Sequence, residues 1–127
     1  LATFKIKGKD VIAALESGVS QVEDGKGRFP QVAGLKYTWT RSVPPKQGRI
    51  KEVLVMKDGA WAPIDPEAVY GAVTNNYVRG GGDGYVVFAE NAIDPYDFGP
   101  DVADVVADYV SKAGTYKPYT DDRIVEQ

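Results

Sequence analysis

The sequence contains no cysteine and no histidine, and no run of apolar residues approaches the length of a membrane span. Without cysteine there are no disulfides and no thiolate chemistry. Without histidine, a Ser-His-Asp or Cys-His nucleophilic arrangement is excluded. A zinc site would have to use carboxylates alone, which suit magnesium or calcium better. We therefore expect this chain to carry no catalytic residues and no metal site of its own.

The net charge is also small. The chain has 15 basic and 18 acidic residues, a net charge of -3, and its basic residues are scattered. Nucleic-acid binding needs a clustered basic face, so the charge pattern excludes that class of partner and indicates an ordinary solvated surface. At 127 residues, the chain is predicted to form one domain, 1–127, around one core. The absence of an initiator Met and of a signal-peptide pattern at Leu1 favours a piece of a larger protein.

Hydrophobic periodicity predicts an α+β fold with a mixed sheet and two main helices. Strands are predicted at 3–7, 35–39, 49–56, around Trp61, at 69–73 and at 85–88. The strand at 49–56 is apolar on both faces and is expected to be central. Helices are predicted at 10–17 and at 101–112. Asp10 is the expected N-cap and Gly18 the expected stop of the first helix. The apolar stripe of the second is expected to lie in the core.

Four glycines fall within residues 80–84. Glycine loses more conformational entropy on folding than other residues, and this cost is commonly found where a ligand approaches the main chain closely. A phosphate-binding Walker pattern does not fit, because no Gly-Lys-Ser/Thr follows the glycines and no helix is predicted after them. A dinucleotide fingerprint does not fit either, because residues 85–88 are predicted to form a strand. A tight turn between two strands remains the alternative.

Residues beside these glycines favour a nucleoside as the ligand. A base can stack on the ring of Tyr77, and the carboxylate of Asp83 can accept hydrogen bonds from ribose hydroxyls. The alternatives are a core aromatic for Tyr77 and a turn residue bonding its own backbone for Asp83. A second aromatic, Phe29, lies in the segment GRFPQVAG at 27–34, where Pro30 restricts it to extended backbone. Taken alone, Phe29 equally fits a loop ring that packs into the core.

Together these segments resemble the C-terminal domain of the 5'-nucleotidase family, which also includes UDP-sugar hydrolases and related periplasmic or secreted phosphatases. The resemblance covers nearly the whole chain: ALESGVS at 14–20, GRFPQVAG at 27–34, TNNY at 74–77 and GGDGY at 81–85. It implies most of a substrate-binding domain with a nucleoside or nucleotide ligand.

By the same resemblance, a base lies between Phe29 and Tyr77, Asp83 holds the ribose, Asn76 shapes the pocket, and Gly81 and Gly82 line it. Two features depart from the family. The second aromatic is often Phe where this chain has Tyr77, and Gly80 stands where some members have Asn.

The resemblance also implies a division of labour. The family's phosphate-gripping segment, Asn-Gly-Gly-Gly-Ile-Arg, is not in this chain, and neither is the metallophosphoesterase domain that holds two divalent metal ions of zinc or manganese type. That domain of the same protein is the expected partner. Two alternatives stay open: a relative with a non-nucleotide substrate, of the thiosulfohydrolase type, and a free-standing binding module.

Overall fold

The computed structural model describes all 127 residues and has the predicted α+β architecture. In chain order its elements are β1 (Ala2–Lys7), α1 (Gly8–Gly18), β2 (Leu35–Trp39), β3 (Ile50–Lys57), β4 (Ala60–Pro63), β5 (Val69–Thr74), α2 (Asn76–Arg79), α3 (Val86–Asn91), β6 (Ile93–Tyr96), α4 (Val102–Ala113) and β7 (Ile124–Glu126). The two longest helices, α1 and α4, are the two that the sequence predicts.

The strands form two sheets. The first has the order β5-β1-β6 and is antiparallel throughout. The second has the order β4-β3-β2-β7, and its β2–β7 pair is parallel, which makes it the predicted mixed sheet. The strand β3 has a neighbour on each side, as its apolar sequence predicts, although Met56 at its end is 52% exposed. Both β6 and β7 are short strands that the sequence analysis missed.

The core lies between α1 and the second sheet. Its buried members are Leu15 and Val19 from α1 and the turn that follows it, Tyr37 and Trp39 from β2, Val53 from β3, and Ile64. Alternate residues of β2 point into this cluster, because side chains on a strand alternate between its two faces. The packing of α1 on this sheet places the loop 27–34 above the core.

The start of α1 corrects the prediction that Asp10 is the N-cap. The helix begins two residues earlier, at Gly8, with no side-chain cap. The free amides of its first turn bond to carbonyls of the distant loop between β4 and β5, Gly8 N to Ala68 O at 3.0 Å and Lys9 N to Pro66 O at 2.9 Å. Tertiary contacts therefore satisfy the donors that a capping side chain would otherwise serve.

The predicted strand at 85–88 is wrong, because α3 starts at Val86. The two αL glycines Gly81 and Gly84 and the αL residue Asp83 bend the chain sharply before it. Tyr85 directly precedes this helix and Phe88 lies in its first turn, and their rings stack with centroids 5.4 Å apart. A helix therefore does follow the glycines, contrary to the sequence analysis.

A buried arginine joins α1 to β3. Arg49 is 2% exposed and donates to the carbonyl of Val19 at 2.9 Å and to that of Val43 at 2.9 Å. It also pairs with the Glu23 carboxylate at 2.6 and 3.1 Å. The guanidinium bonds two carbonyls and a carboxylate across this junction, so it holds the end of α1 against the sheet.

The prediction that the apolar stripe of α4 lies in the core is also wrong. Every residue of this helix is exposed in the chain, with Val106 at 53% and Tyr109 at 61%. The helix itself is correctly predicted, and the side chain of Asp101 caps it by accepting from Ala103 N at 2.8 Å. Periodicity reports an apolar face but does not say whether this chain covers it. None of the helices has the length and apolar character needed to cross a bilayer.

Candidate functional site

A cavity of about 520 Å³ is open to one side, and both sheets contribute to its lining. Most of its lining residues are hydrophobic, and several of them come from α1, β3 and β5. The loop 27–34 lines it along its whole length, and Asp83, Tyr85 and Phe88 line it from the second segment. The two segments that the sequence singles out thus meet at one cavity, although they lie far apart in the chain.

Phe29 is partly buried in the loop above the core. Its ring packs edge-on against Trp39, with centroids 5.7 Å apart and an angle of 65° between the planes. Tyr37 fixes the next residue, because its hydroxyl donates to the carbonyl of Pro30 at 2.9 Å. Phe29 therefore fits both interpretations of its sequence segment, since its ring packs on the core and also lines the cavity.

Two further contacts hold the backbone of the same loop. The hydroxyl of Tyr85 donates to the carbonyl of Arg28 at 2.7 Å. Arg123, near the other end of the chain, donates to the carbonyl of Val32 at 2.9 Å. With the Tyr37 bond, three long side chains from three parts of the chain fasten this loop, which has no regular secondary structure of its own.

Asp83 is exposed and takes the left-handed backbone conformation, with φ 54° and ψ 27°. Glycines on both sides are also left-handed, Gly81 with φ 98° and Gly84 with φ 80°. The carboxylate of Asp83 has no hydrogen-bond partner in the chain, so it does not serve as a turn residue bonding its own backbone. It lines the cavity with its acceptor oxygens free.

Tyr77 lies on α2 and is 63% exposed, which rules out the core aromatic considered from the sequence. The backbone of Gly82 lies against its ring, since a Cβ there would come within 2.5 to 2.6 Å of three ring atoms. Tyr77, Asn76, Gly81 and Gly82 do not line the main cavity. Of the six predicted residues, this structure places Phe29 and Asp83 in one cavity and leaves the other four beside it.

Two residues missed by the sequence analysis hold α2 in place. Asn75 caps this helix, and its side chain accepts from Val78 N at 2.8 Å. Arg79 makes a two-pronged ion pair with Asp97, with both nitrogen–oxygen distances at 2.6 Å. The Asn75 cap has a recognisable sequence pattern, an Asn just before a helical turn. The ion pair joins residues 18 positions apart and has no such pattern.

Burial dominates the electrostatics of the two loop-binding tyrosines. It raises the pKa of Tyr85 to about 12, with the nearby Asp83 carboxylate raising it further and the Arg28 guanidinium opposing both. Burial is also the main cause of the raised pKa of Tyr37, with a smaller contribution from Tyr85. Both hydroxyls remain hydrogen-bond donors at neutral pH. No three Asp or Glu side chains come close enough together to hold a metal ion.

Comparison with known proteins shows which family the chain belongs to. Residues 1–90 match the family model described as "5'-nucleotidase, C-terminal domain". The chain belongs to this family. Its members among curated proteins include the trifunctional nucleotide phosphoesterase protein YfkN of Bacillus subtilis, 37% identical over 122 residues, which cover 95% of this chain and 8% of that protein. The NAD 5'-nucleotidase of Haemophilus influenzae is 32% identical over 133 residues, covering 98% of this chain and 22% of that one.

Solved structures place the fold in the same family. The 5'-nucleotidase precursor from Thermus thermophilus matches with a TM-score of 0.93 and 37% identity, covering 98% of this chain and 24% of that one. The family fold is thus present along almost the entire chain. The chain spans about a quarter or less of the length of each of these relatives.

Proposed function

We propose that this chain is the nucleoside-binding part of a 5'-nucleotidase-type phosphoric ester hydrolase. The base stacks on Phe29 and Tyr77, and Asp83 accepts hydrogen bonds from the ribose hydroxyls. Asn76, Gly81 and Gly82 shape the approach to that position. The observation that carries this proposal is the meeting of Phe29 and Asp83 at one cavity, because a ring and a free carboxylate are the two groups a nucleoside needs.

The environment of each group supports its role. The cavity wall is mostly apolar, which suits a flat base better than a small sulfur ester. The Asp83 oxygens make no bond within the chain, so a ligand meets no competing partner there. Tyr77 has one ring face against Gly82 and is otherwise exposed, which leaves a face for stacking. These points favour a nucleotide substrate over the thiosulfohydrolase alternative.

We further propose that hydrolysis takes place on a separate metallophosphoesterase domain of the same polypeptide, with two divalent metal ions. The residues of this chain do not fit such a centre, since it has no histidine and no cluster of three carboxylates. The relatives are several times longer than this chain, which leaves room for that domain. A periplasmic or secreted location follows from the same family assignment. A free-standing binding module remains the alternative.

The test is titration of the 127-residue chain with adenosine, followed by calorimetry or NMR shifts. We expect weak binding and no phosphatase activity in the isolated chain. The double variant Phe29→Ala, Tyr77→Ala should weaken adenosine binding by at least about tenfold, because a stacked base contributes roughly 1–3 kcal/mol. Tyr96→Ala, an exposed aromatic outside both segments, is the matched control and should leave binding unchanged.

Two results would contradict the proposal. Equal adenosine affinity in the double variant and the parent chain would remove the stacking role of the two rings. Substantial phosphate release by the purified chain would remove the division of labour between binding and hydrolysis.

A further inference from the structure

The loop that carries Phe29 and the turn that carries Asp83 are joined directly. The Tyr85 hydroxyl donates to the carbonyl of Arg28 at 2.7 Å. Arg28 immediately precedes Phe29, and Tyr85 follows Asp83 by two residues. One hydrogen bond therefore links the backbone beside the ring to the backbone beside the carboxylate.

In a second contact, a side chain of the loop lies against the backbone of the turn. The Arg28 guanidinium lies over the backbone of Gly84, since a Cβ on Gly84 would come within 2.6 Å of its Nη1. That guanidinium takes part in no ion pair or hydrogen bond within the chain, so its contact with Gly84 is one of packing. Loop and turn thus hold each other at two points, one polar and one steric.

Helix α1 leaves space for this junction because its last residue, Gly18, has no side chain. A Cβ on Gly18 would come within 2.7 Å of the Tyr85 hydroxyl and 2.8 Å of the Pro30 ring. The Tyr85 ring is 7% exposed and stacks on Phe88 of α3. The hydroxyl therefore reaches Arg28 from a rigid, buried ring. The position of the turn that carries Asp83 thus determines the position of the backbone at Arg28.

We propose that Tyr85 is a positioning residue that sets the separation between the base-stacking ring of Phe29 and the ribose-binding carboxylate of Asp83. This inference rests on the proposed function. A nucleoside spans both groups at once, so a fixed separation removes the ordering cost of bringing the second group to the ligand after the first has bound. A ligand that uses only Phe29 gains nothing from that fixed separation.

The experiment compares adenosine with 2',3'-dideoxyadenosine, which stacks equally well but lacks the ribose hydroxyls. In the parent chain, hydrogen bonds to the charged Asp83 should favour adenosine by about tenfold or more. Tyr85→Phe keeps the stacked ring and deletes the hydroxyl. We expect this variant to reduce that ratio at least threefold, mainly through weaker adenosine binding.

Tyr37→Phe is the matched control. It deletes a buried hydroxyl that bonds the same loop, at Pro30, but Tyr37 lies on β2 and makes no hydrogen bond to the Asp83 turn. It should lower thermal stability about as much as Tyr85→Phe and leave the adenosine preference intact. A general loss of stability would change ligand binding alike in the Tyr85 and Tyr37 variants. The ratio of adenosine to 2',3'-dideoxyadenosine affinity therefore separates positioning from a merely structural role.

A second variant covers the case in which Tyr85→Phe does not fold. Arg28→Met removes the guanidinium from Gly84, keeps the backbone carbonyl and lies at a partly exposed position. It should also reduce the ratio, about twofold. An unchanged ratio in the folded Tyr85 variant, or in Arg28→Met when the former is unfolded, overturns the inference while the proposed function stands. Failure of the parent chain to bind adenosine overturns the proposed function itself.

Discussion

The backbone of Gly82 lies flat against the ring of Tyr77, so close that no side chain fits between them. Gly82→Ala would place a methyl carbon within 2.5 Å of the ring, and the ring, being exposed, would rotate away. We expect adenosine affinity to fall about fivefold with little change in melting temperature. Lys57→Ala, at an exposed position that does not line the cavity, is the control and should bind as the parent does. Calorimetry of both variants checks this, and unchanged affinity in Gly82→Ala would contradict it.

Alkaline pH should destabilise the fold through Tyr37 and Tyr85. Burial raises the folded-state pKa of the Tyr85 hydroxyl from its ordinary value of 10.0 to about 12, and it raises that of Tyr37 as well. Because the unfolded chain ionises first, the stability contributed by the protonated hydroxyls is complete below pH 10 and is lost as pH rises toward 12. Each unit of raised pKa corresponds to about 1.4 kcal/mol. Urea unfolding from pH 8 to pH 11 measures this, and Tyr85→Phe should flatten the decline.

Arg49 should be worth far more to stability than Arg41. Arg49→Met removes a buried guanidinium that bonds two carbonyls and Glu23, and we expect a loss of about 2–3 kcal/mol. Arg41 pairs with Glu126 at the exposed end of β7, and Arg41→Met should cost less than about 1 kcal/mol. Denaturant unfolding of the two variants makes the comparison. Equal losses would mean that the Arg49 bonds do not hold the end of α1 against the sheet.

Two valine substitutions should separate the covered core from the uncovered helix. Val19→Ala, at a residue with 0% exposure, should destabilise the chain by about 2 kcal/mol through a cavity. Val106→Ala, on α4 with 53% exposure, should change stability by less than about 0.5 kcal/mol. Thermal unfolding of the two variants measures both effects. A large loss at Val106 would restore the original expectation that the α4 stripe is core.

Local pattern was enough to predict most of the fold. The strand at 35–39 sits where the period-two repeat predicts it, and the period-3.6 repeat predicts the first helix, which starts two residues earlier than expected. Gly18 is not the expected glycine stop, because it is the last residue of α1 with helical backbone (φ -61°, ψ -42°) and a short 3-10 turn follows it. The sequence of α4 also predicts its helix within a residue at each end. The prediction that failed for α4 was the burial of its apolar stripe. Whether that stripe is buried depends on what packs against the helix, and no local repeat encodes this.

The error at 85–88 has a different cause. Tyr, Val, Val and Phe favour strands, and the left-handed turn at Asp83 and Gly84 reversed that preference by directing Tyr85 and Phe88 to one side of a helix. The same reversal creates the Tyr85 bond to Arg28, which spans 57 positions and leaves no trace in composition or spacing. Phe29 and Asp83 could be selected from the sequence, whereas the bond that joins their segments could not.

The hydrogen bond from Arg123 to Val32 spans 91 positions. During synthesis, the loop that carries Phe29 leaves the ribosome long before the arginine that fastens it. The loop therefore gains this contact only after the residues of β7, which pairs with β2, have been synthesised. A premature stop after Gly114 would spare every residue that lines the cavity and still remove one of the three side chains that fasten the loop above it.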